Sequence, residues 1–217
     1  MTTIKNIESF VYRYPLSKPV ITSFGVMDNR PMLILKITDN NGMYGWGEVW
    51  CNFPLTGAEH RAKLIDNVFK PLLANFNIIT PEKTYEYLVS KTKILSIQSG
   101  EPGPIAQCIA GIDIAIHDLI GKVENISLWK KFGGNKNIIP CYASGINPTK
   151  PELTVKDAIK KGYSSFKLKI GFGLKKDLGN IKGIKNILPE NLSLMVDANQ
   201  AWNCLLYTSP SPRDLYR

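Results

Sequence analysis

From Asn137 to Gln200 the chain repeats one pattern, a short apolar run and then a helical stretch. The apolar runs are "NIIPCYASG", "SSFKLKIG" (Ser164–Gly171) and "NLSLMVDANQ" (Asn191–Gln200). Between them lie "TVKDAIKKG" (Thr154–Gly162), closed by a glycine, and "KKDLGNIKGIKNIL" (Lys175–Leu188), helix-like despite two glycines. Strands separated by whole helices cannot pair as hairpins. They need right-handed crossovers, so they lie parallel in one sheet. An open doubly wound sheet and a (β/α)₈ barrel both satisfy that rhythm. Both gather their chemistry at the C-terminal ends of the strands. No glycine-rich phosphate loop follows the first strand, which argues against a nucleotide site.

The residues before Asn137 obey a different rule. "TIKNIESFVYRY" (Thr3–Tyr14) is rich in β-branched and aromatic residues and reads as a strand. In "RPMLILKITDNNGMYGWGEVW" (Arg30–Trp50), Leu33, Leu35 and Ile37 alternate with Ile34, Lys36 and Thr38. "DNNG" supplies a tight reversal and "MYGWGEV" the returning strand. The expectation is a three-stranded antiparallel meander, with Pro15–Asn29 as a long loop of the functional or mobile kind. Helices follow. Thr56 is a cap candidate ahead of Leu64, Ile65, Val68, Leu72 and Leu73, and Thr80, Pro81 and Glu82 form a helix start. "GPIAQCIAGIDIAIHDLIGKV" puts Ile105, Cys108, Ile109, Ile112, Ile116 and Leu119 on one broad face, and Ala110, Gly111 and Ala115 allow close approach. The fold expectation is therefore α+β over residues 1–134 and the start of a parallel α/β unit over 135–203.

Composition narrows the function classes. At 217 residues with 44% hydrophobic and 21% charged residues, the chain can bury a sizeable core and is not expected to be disordered. No apolar run approaches the ~20 residues of a membrane span. The N-terminus lacks the apolar stretch of a signal peptide, so no membrane partner and a cytoplasmic location are expected. Cys51, Cys108, Cys141 and Cys204 lack paired spacing, which suits reduced thiols. The net charge is +9, but its lysines are dispersed and seldom interleaved with aromatics. Nucleic-acid binding is therefore not expected.

Two strand tips carry unusual residues. Lys167 and Lys169 are two apart and share a face, where parallel strands are usually apolar on both sides. They can snorkel to solvent. As interior cations they would depress each other's pKa values, freeing one to act as an amine base. Asp197 and Asn199 share a face on the next strand. An acid there can cap a helix or bind a hard cation such as Mg²⁺. An amine base beside a metal-binding carboxylate suits removal of a proton next to a substrate carboxylate.

The stretches "YGWGE" (Tyr44–Glu48), "AGIDIAIHDLIGK" (Ala110–Lys122), "KKFGG" (Lys130–Gly134), "FKLKIG" and "MVDANQAW" occur in the order and spacing of one family. The chain resembles the mandelate racemase and muconate lactonizing enzyme group of the enolase superfamily, from near residue 4 to about Asn203. It looks most like the acid-sugar cycloisomerases and dehydratases. The resemblance implies an N-terminal capping domain (1–134) and the first three strands of a truncated (β/α)₈ barrel (135–203). It implies an isomerase or lyase using Mg²⁺, a small-molecule carboxylate substrate and a homo-oligomer. Residue by residue, Lys169 would remove the α-proton, and Lys167 would lower its pKa and bind the substrate carboxylate. Asp197 would be one of three carboxylate ligands to Mg²⁺, and Asn199 would touch substrate or the metal shell. Loops 17–29 and 50–55, with Ser23, Phe24, Trp50 and Phe53, would close over the barrel mouth and select the substrate. His117 stands where relatives often carry Trp, and both it and His60 read as structural.

Two alternatives stay open: a lactonizing enzyme or an epimerase of amino-acid derivatives or dipeptides, with lysines on both barrel walls, and a non-catalytic binding protein on the same fold. A full barrel takes ~250 residues. "CLLYTSPSPRD" (Cys204–Asp214) stands where a helix should follow the third strand. It resembles an in-frame translation of a transposon-end sequencing adapter, so residues 204–217 are read as non-native. The chain by itself is expected to be inactive and marginally folded, with an open sheet edge and an uncovered apolar face.

Overall fold

The structure, a computed structural model, describes residues 2–22, 25–199 and 201–202. Ser23, Phe24 and the 204–217 tail, with Cys204, lie outside the described residues. The elements are, in order, β1 (Thr2–Thr22), β2 (Gly25–Asp39), β3 (Tyr44–Val49), α1 (Gly57–Leu64), a π-helical turn (Ile65–Phe69), α2 (Lys70–Leu73), β4 (Asn77–Ile78) and α3 (Pro81–Gln98). Then come α4 (Pro102–Val123), α5 (Leu128–Lys131), β5 (Ala143–Ile146), α6 (Pro151–Lys160), β6 (Ser165–Lys169), α7 (Leu174–Lys185) and β7 (Ser193–Asp197). They group into two compact units. One holds the residues up to Leu16 and Asn29–Lys136; the other holds Ser17–Asp28 and the residues from Asn137 on.

The sheet of the first unit has the order β3-β2-β1-β4. Two expectations are corrected here. The short strand β4 pairs antiparallel with β1, Thr2 opposite Ile78, so the sheet has four strands rather than three. Most of the expected loop Pro15–Asn29 is strand, because β1 continues to Thr22 and β2 begins at Gly25. Pro15 and Pro19 do not prevent this, since the fixed proline φ is compatible with extended backbone. The "DNNG" reversal is confirmed. Asp39 Oδ1 accepts the N–H groups of Asn41 at 2.9 Å and Met43 at 2.8 Å, and Gly42 takes φ +84°.

The β2–β3 register places Leu33, Leu35 and Ile37 opposite Val49, Gly47 and Gly45. The three β2 side chains are fully buried, with Ile4 and Ile7 of β1 beside them. Helix α4 covers this face with Ile105, Cys108, Ile109, Ile112, Ala115, Ile116 and Leu119. By length and composition alone α4 could cross a membrane, yet its apolar face lies at the centre of this core. Ala110 is exposed, contrary to expectation, and Gly111, Ala115 and Leu119 make the close approach. The "YGWGE" stretch explains itself here. A Cβ on Gly45 would run into the Ala115 carbonyl, and one on Gly47 into the Gly111 carbonyl. The alternating glycines let helix backbone rest on strand backbone, a fit that close-packed interiors reward.

Strand β3 is an edge strand, and α4 also covers its free side. Asp118 Oδ2 accepts the Trp46 backbone N–H at 2.7 Å and the Lys122 ammonium at 2.7 Å. Lys122 in turn donates to the Tyr44 carbonyl at 3.1 Å. Unpaired edge groups invite association with other strands, and these two side chains satisfy two of them, the Trp46 N–H and the Tyr44 carbonyl. Thr56 makes no side-chain cap, whereas Thr80 caps α3 by accepting from the Lys83 N–H at 3.2 Å.

The second unit contains a parallel sheet of order β5-β6-β7. Its core is Ile146, Val155, Phe166, Leu168, Ile170 and Ile184. Helices α6 and α7 form the crossovers, as the sequence rhythm requires. Strand β7 lies at the edge of this sheet, and its Met195 and Val196 are exposed.

Candidate functional site

Strand β6 alternates cleanly. Phe166 and Leu168 are fully buried, while Lys167 and Lys169 lie half-buried on the opposite face. The parallel register sets Lys167 beside Met195 and Lys169 beside Asp197. Both lysines and Asp197 therefore meet at the C-terminal end of neighbouring strands. Lys167 Nζ stands 3.2 Å from Asp197 Oδ2. The ladder closes behind them, where the Ile170 N–H donates to the Asp197 carbonyl at 2.9 Å.

The expected mutual depression of the lysine pKa values is corrected at Lys167. Its ammonium is pushed above the ordinary lysine value, first by hydrogen bonding to Tyr142 and then by the Asp197 carboxylate. Both partners favour the charged form. Tyr142 is the residue that sequence reasoning missed. Its ring centroid lies 5.1 Å from Lys167 Nζ. The available signal was its place one residue before Ala143, which pairs with Phe166.

Asp197 is held below its usual range, first by the Asn199 N–H and then by Lys167. Its Oδ1 accepts that N–H at 2.9 Å, closing a turn in which Asn199 takes φ +46°. Asparagine tolerates this left-handed conformation better than most residues. Asp177 is occupied otherwise, accepting the N–H groups of Gly171 at 2.9 Å and Phe172 at 3.2 Å.

The donor set tests the Mg²⁺ expectation. Mg²⁺ demands near-octahedral oxygen coordination. Among the described residues no three metal-ligating side chains cluster. Asp197 is one ionised oxygen donor, already engaged by Lys167 and Asn199. The described residues do not by themselves form a magnesium site.

The structure thus brings Lys167, Lys169, Asp197 and Asn199 together. Trp50 and Phe53 stand in the first unit, half or nearly half exposed on the loop between β3 and α1. His60 pairs with Glu101 at 2.9 Å, and the His117 ring packs edge-on against Phe132. Cys51 and Cys108 are buried free thiols and Cys141 is exposed.

A family profile described as "Mandelate racemase / muconate lactonizing enzyme, N-terminal domain" matches residues 6–133. The N-succinyl-L-Arg/Lys racemase of Bacillus cereus is 27% identical over 98% of this chain and 56% of its own length. The 3,6-anhydro-alpha-L-galactonate cycloisomerase of Streptomyces coelicolor is 27% identical over 92% of this chain and 55% of its own. A mandelate racemase/muconate lactonizing enzyme from Bordetella bronchiseptica superposes with a TM-score of 0.84 and 42% identity, covering 93% of this chain and 53% of that one. The chain spans about half the length of the curated relatives it matches.

Proposed function

The chain belongs to the mandelate racemase/muconate lactonizing enzyme family, and from that premise we propose that the whole protein removes a proton from the carbon next to a substrate carboxylate. The family has the enolase-superfamily fold and comprises racemases, epimerases, cycloisomerases and dehydratases. Residues 1–134 are read as its capping domain and 135–203 as the first strands of its barrel. One observation carries the proposal: two amines and one carboxylate converge at the C-terminal end of adjacent parallel strands, with Lys169 beside Asp197 and Lys167 paired to it.

In this reading Lys169 takes the proton and Lys167 binds the substrate carboxylate. The stabilised positive charge on Lys167 suits anion binding rather than proton removal. Enolase-superfamily enzymes bind Mg²⁺. Asp197 is proposed as one oxygen ligand, with the others from outside the described residues, and Asn199 as a contact to substrate or metal shell. When bound, such a cation supplies positive charge beside the substrate carboxylate. The proposed substrate is a sugar acid or its lactone, in line with the related cycloisomerase. A second reading, epimerisation of an amino-acid derivative, is favoured by the related N-succinyl-L-Arg/Lys racemase.

Isotope exchange tests the proposal. The whole protein is incubated in D₂O and Mg²⁺ with sugar acids and N-acyl amino acids, and deuterium at the α-carbon is read by NMR. Exchange is expected with one class of carboxylate, and its loss in Lys169→Met. Exchange that survives this substitution removes Lys169 from the role of base.

A further inference from the structure

Lys169 is the last residue of β6, and Ile170, Gly171, Phe172 and Gly173 lead from it into α7. Gly171 and Gly173 take φ +95° and +103°, conformations that residues with a side chain seldom adopt. Glycine also has the most backbone freedom to lose, so a Gly-Phe-Gly turn does not hold itself. A reacting side chain at the end of a strand is placed no better than the backbone that carries it.

Two anchors fix this backbone. On the strand side, Ile170 is buried and its N–H donates to the Asp197 carbonyl at 2.9 Å. On the helix side, Asp177 in the first turn of α7 reaches back over the turn. Its Oδ2 accepts the Gly171 N–H at 2.9 Å and the Phe172 N–H at 3.2 Å, and its Oδ1 lies 3.3 Å from the Phe172 nitrogen. Its own N–H donates to the Gly173 carbonyl at 2.9 Å. The N-cap of α7 is Gly173, which has no side chain to cap with. Asp177 therefore brings a carboxylate to the positive end of the helix and spends it on the turn. One side chain ties both residues after Ile170 to α7.

We propose that Asp177 is a positioning residue for the candidate base Lys169: by fixing the turn after β6 it holds the last residue of that strand, and its amine, beside Asp197. The catalytic purpose rests on the proposed function above; the backbone clamp does not. Misplacing a reacting group by ~1 Å can cost about 100-fold in rate. Lys167, the proposed carboxylate binder, lies two residues further inside the ladder, opposite Met195. Loss of Asp177 should therefore fall on the chemical step and leave binding nearly intact.

The test compares the whole protein with its Asp177→Ala and Asp177→Asn variants. Because Oδ2 accepts both N–H groups, an asparagine oxygen in its place keeps both bonds. Amide hydrogen exchange without substrate reads the clamp. Hydrogen bonds to a charged group are strong enough that losing them changes an opening equilibrium by a factor of at least about ten. Exchange of the Gly171 and Phe172 N–H groups is expected to rise about tenfold in Asp177→Ala and by no more than about twofold in Asp177→Asn. Exchange of the Leu168 N–H, inside the ladder, should not change, which separates release of the turn from opening of the sheet. With the carboxylate that undergoes α-exchange, kcat is expected to fall about 100-fold in Asp177→Ala with KM within about threefold, and to stay within about fivefold in Asp177→Asn. Asp177→Glu keeps the charge but carries its oxygens one carbon further out. It replaces Asp177→Ala if that variant does not fold, with changes of the same sign expected. Unchanged exchange at Gly171 and Phe172 overturns the clamp. Raised exchange with unchanged kcat overturns the positioning role. Asp177→Asn as slow as Asp177→Ala overturns it too, since charge and not the held turn would then carry the effect. A whole protein that exchanges no α-proton overturns that role together with the proposed function, and hydrogen exchange still decides the clamp.

Discussion

Asp118 and Lys122 look like a surface ion pair on a helix, yet the structure makes them the cover of a sheet edge, and this can be measured. Replacing Asp118 by Ala removes two bonds at 2.7 Å, one from the Trp46 backbone N–H and one from Lys122. A backbone donor to a carboxylate contributes ~1.5–3 kcal/mol net. The Asp118 side chain is 29% exposed, which argues for the lower end. The i,i+4 pair adds only ~0.3–0.5 kcal/mol because it is solvated. The expected loss for Asp118→Ala is therefore about 2 kcal/mol. With a urea slope of ~2 kcal/mol/M, the unfolding midpoint should fall by about 1 M. Tryptophan fluorescence is a suitable probe, since Trp46, Trp50 and Trp129 all lie in the first unit. Asp118→Asn retains an acceptor for the Trp46 N–H and should cost about half as much. If Asp118→Asn is as damaging as Asp118→Ala, charge rather than edge hydrogen bonding carries the effect, and the edge-cover reasoning fails. A loss below about 0.5 kcal/mol in Asp118→Ala, within the usual scatter of surface changes, would refute it outright.

Gly47→Ala should destabilise the first unit by about 3 kcal/mol, since overpacking against backbone leaves nothing that can yield. Gly103→Ala, in helix α4 with open space around it, should be neutral or stabilising. Equal urea midpoints for the two variants would contradict the strand-on-helix contact. The Asp197–Lys167 pair sets a pH window. Asp197 is depressed in the fold, so its contribution is present above its unfolded pKa of ~3.9 and is lost as pH falls through the folded value. Lys167 is raised, so its contribution is present below ~10.4 and is lost as pH climbs through the folded value. The stability deficit of Asp197→Asn against the unsubstituted chain, read from thermal melts by circular dichroism, should be flat from about pH 5 to 9 and shrink below about pH 4. A deficit that persists undiminished at pH 2 would show that the carboxylate is not stabilised by its charge.

The local periodicities were legible in the sequence for a simple reason: a strand or helix with one buried face records that face in its own residues. Leu33, Leu35 and Ile37 alternate because β2 is buried on one side, and the α4 isoleucines recur at helical spacing because they meet that side. The alternation of β6 likewise put Lys167 and Lys169 on one face. Local turn chemistry was legible at "DNNG" and at Thr80 for the same reason, since each partner lies within four residues.

What the sequence could not decide is what depends on a partner far along the chain. β4 joins the sheet only because Asn77 and Ile78 find β1, and β1 runs on through Pro15 and Pro19 to Thr22 where the sequence reads as a loop. The two glycines of "YGWGE" carry no visible purpose until α4 lies on them. Arg13 looks like an ordinary surface arginine until Asn29, Leu55 and Glu59 converge on it. At the strand tips the sequence determined which charged groups share a face. The tertiary structure decided what surrounds Lys167 and Asp197, and a pKa is set by those surroundings. Tyr142 and Asp197 lie beside Lys167 and favour its charged form, whereas spacing left both a solvated lysine and a mutually depressed pair open.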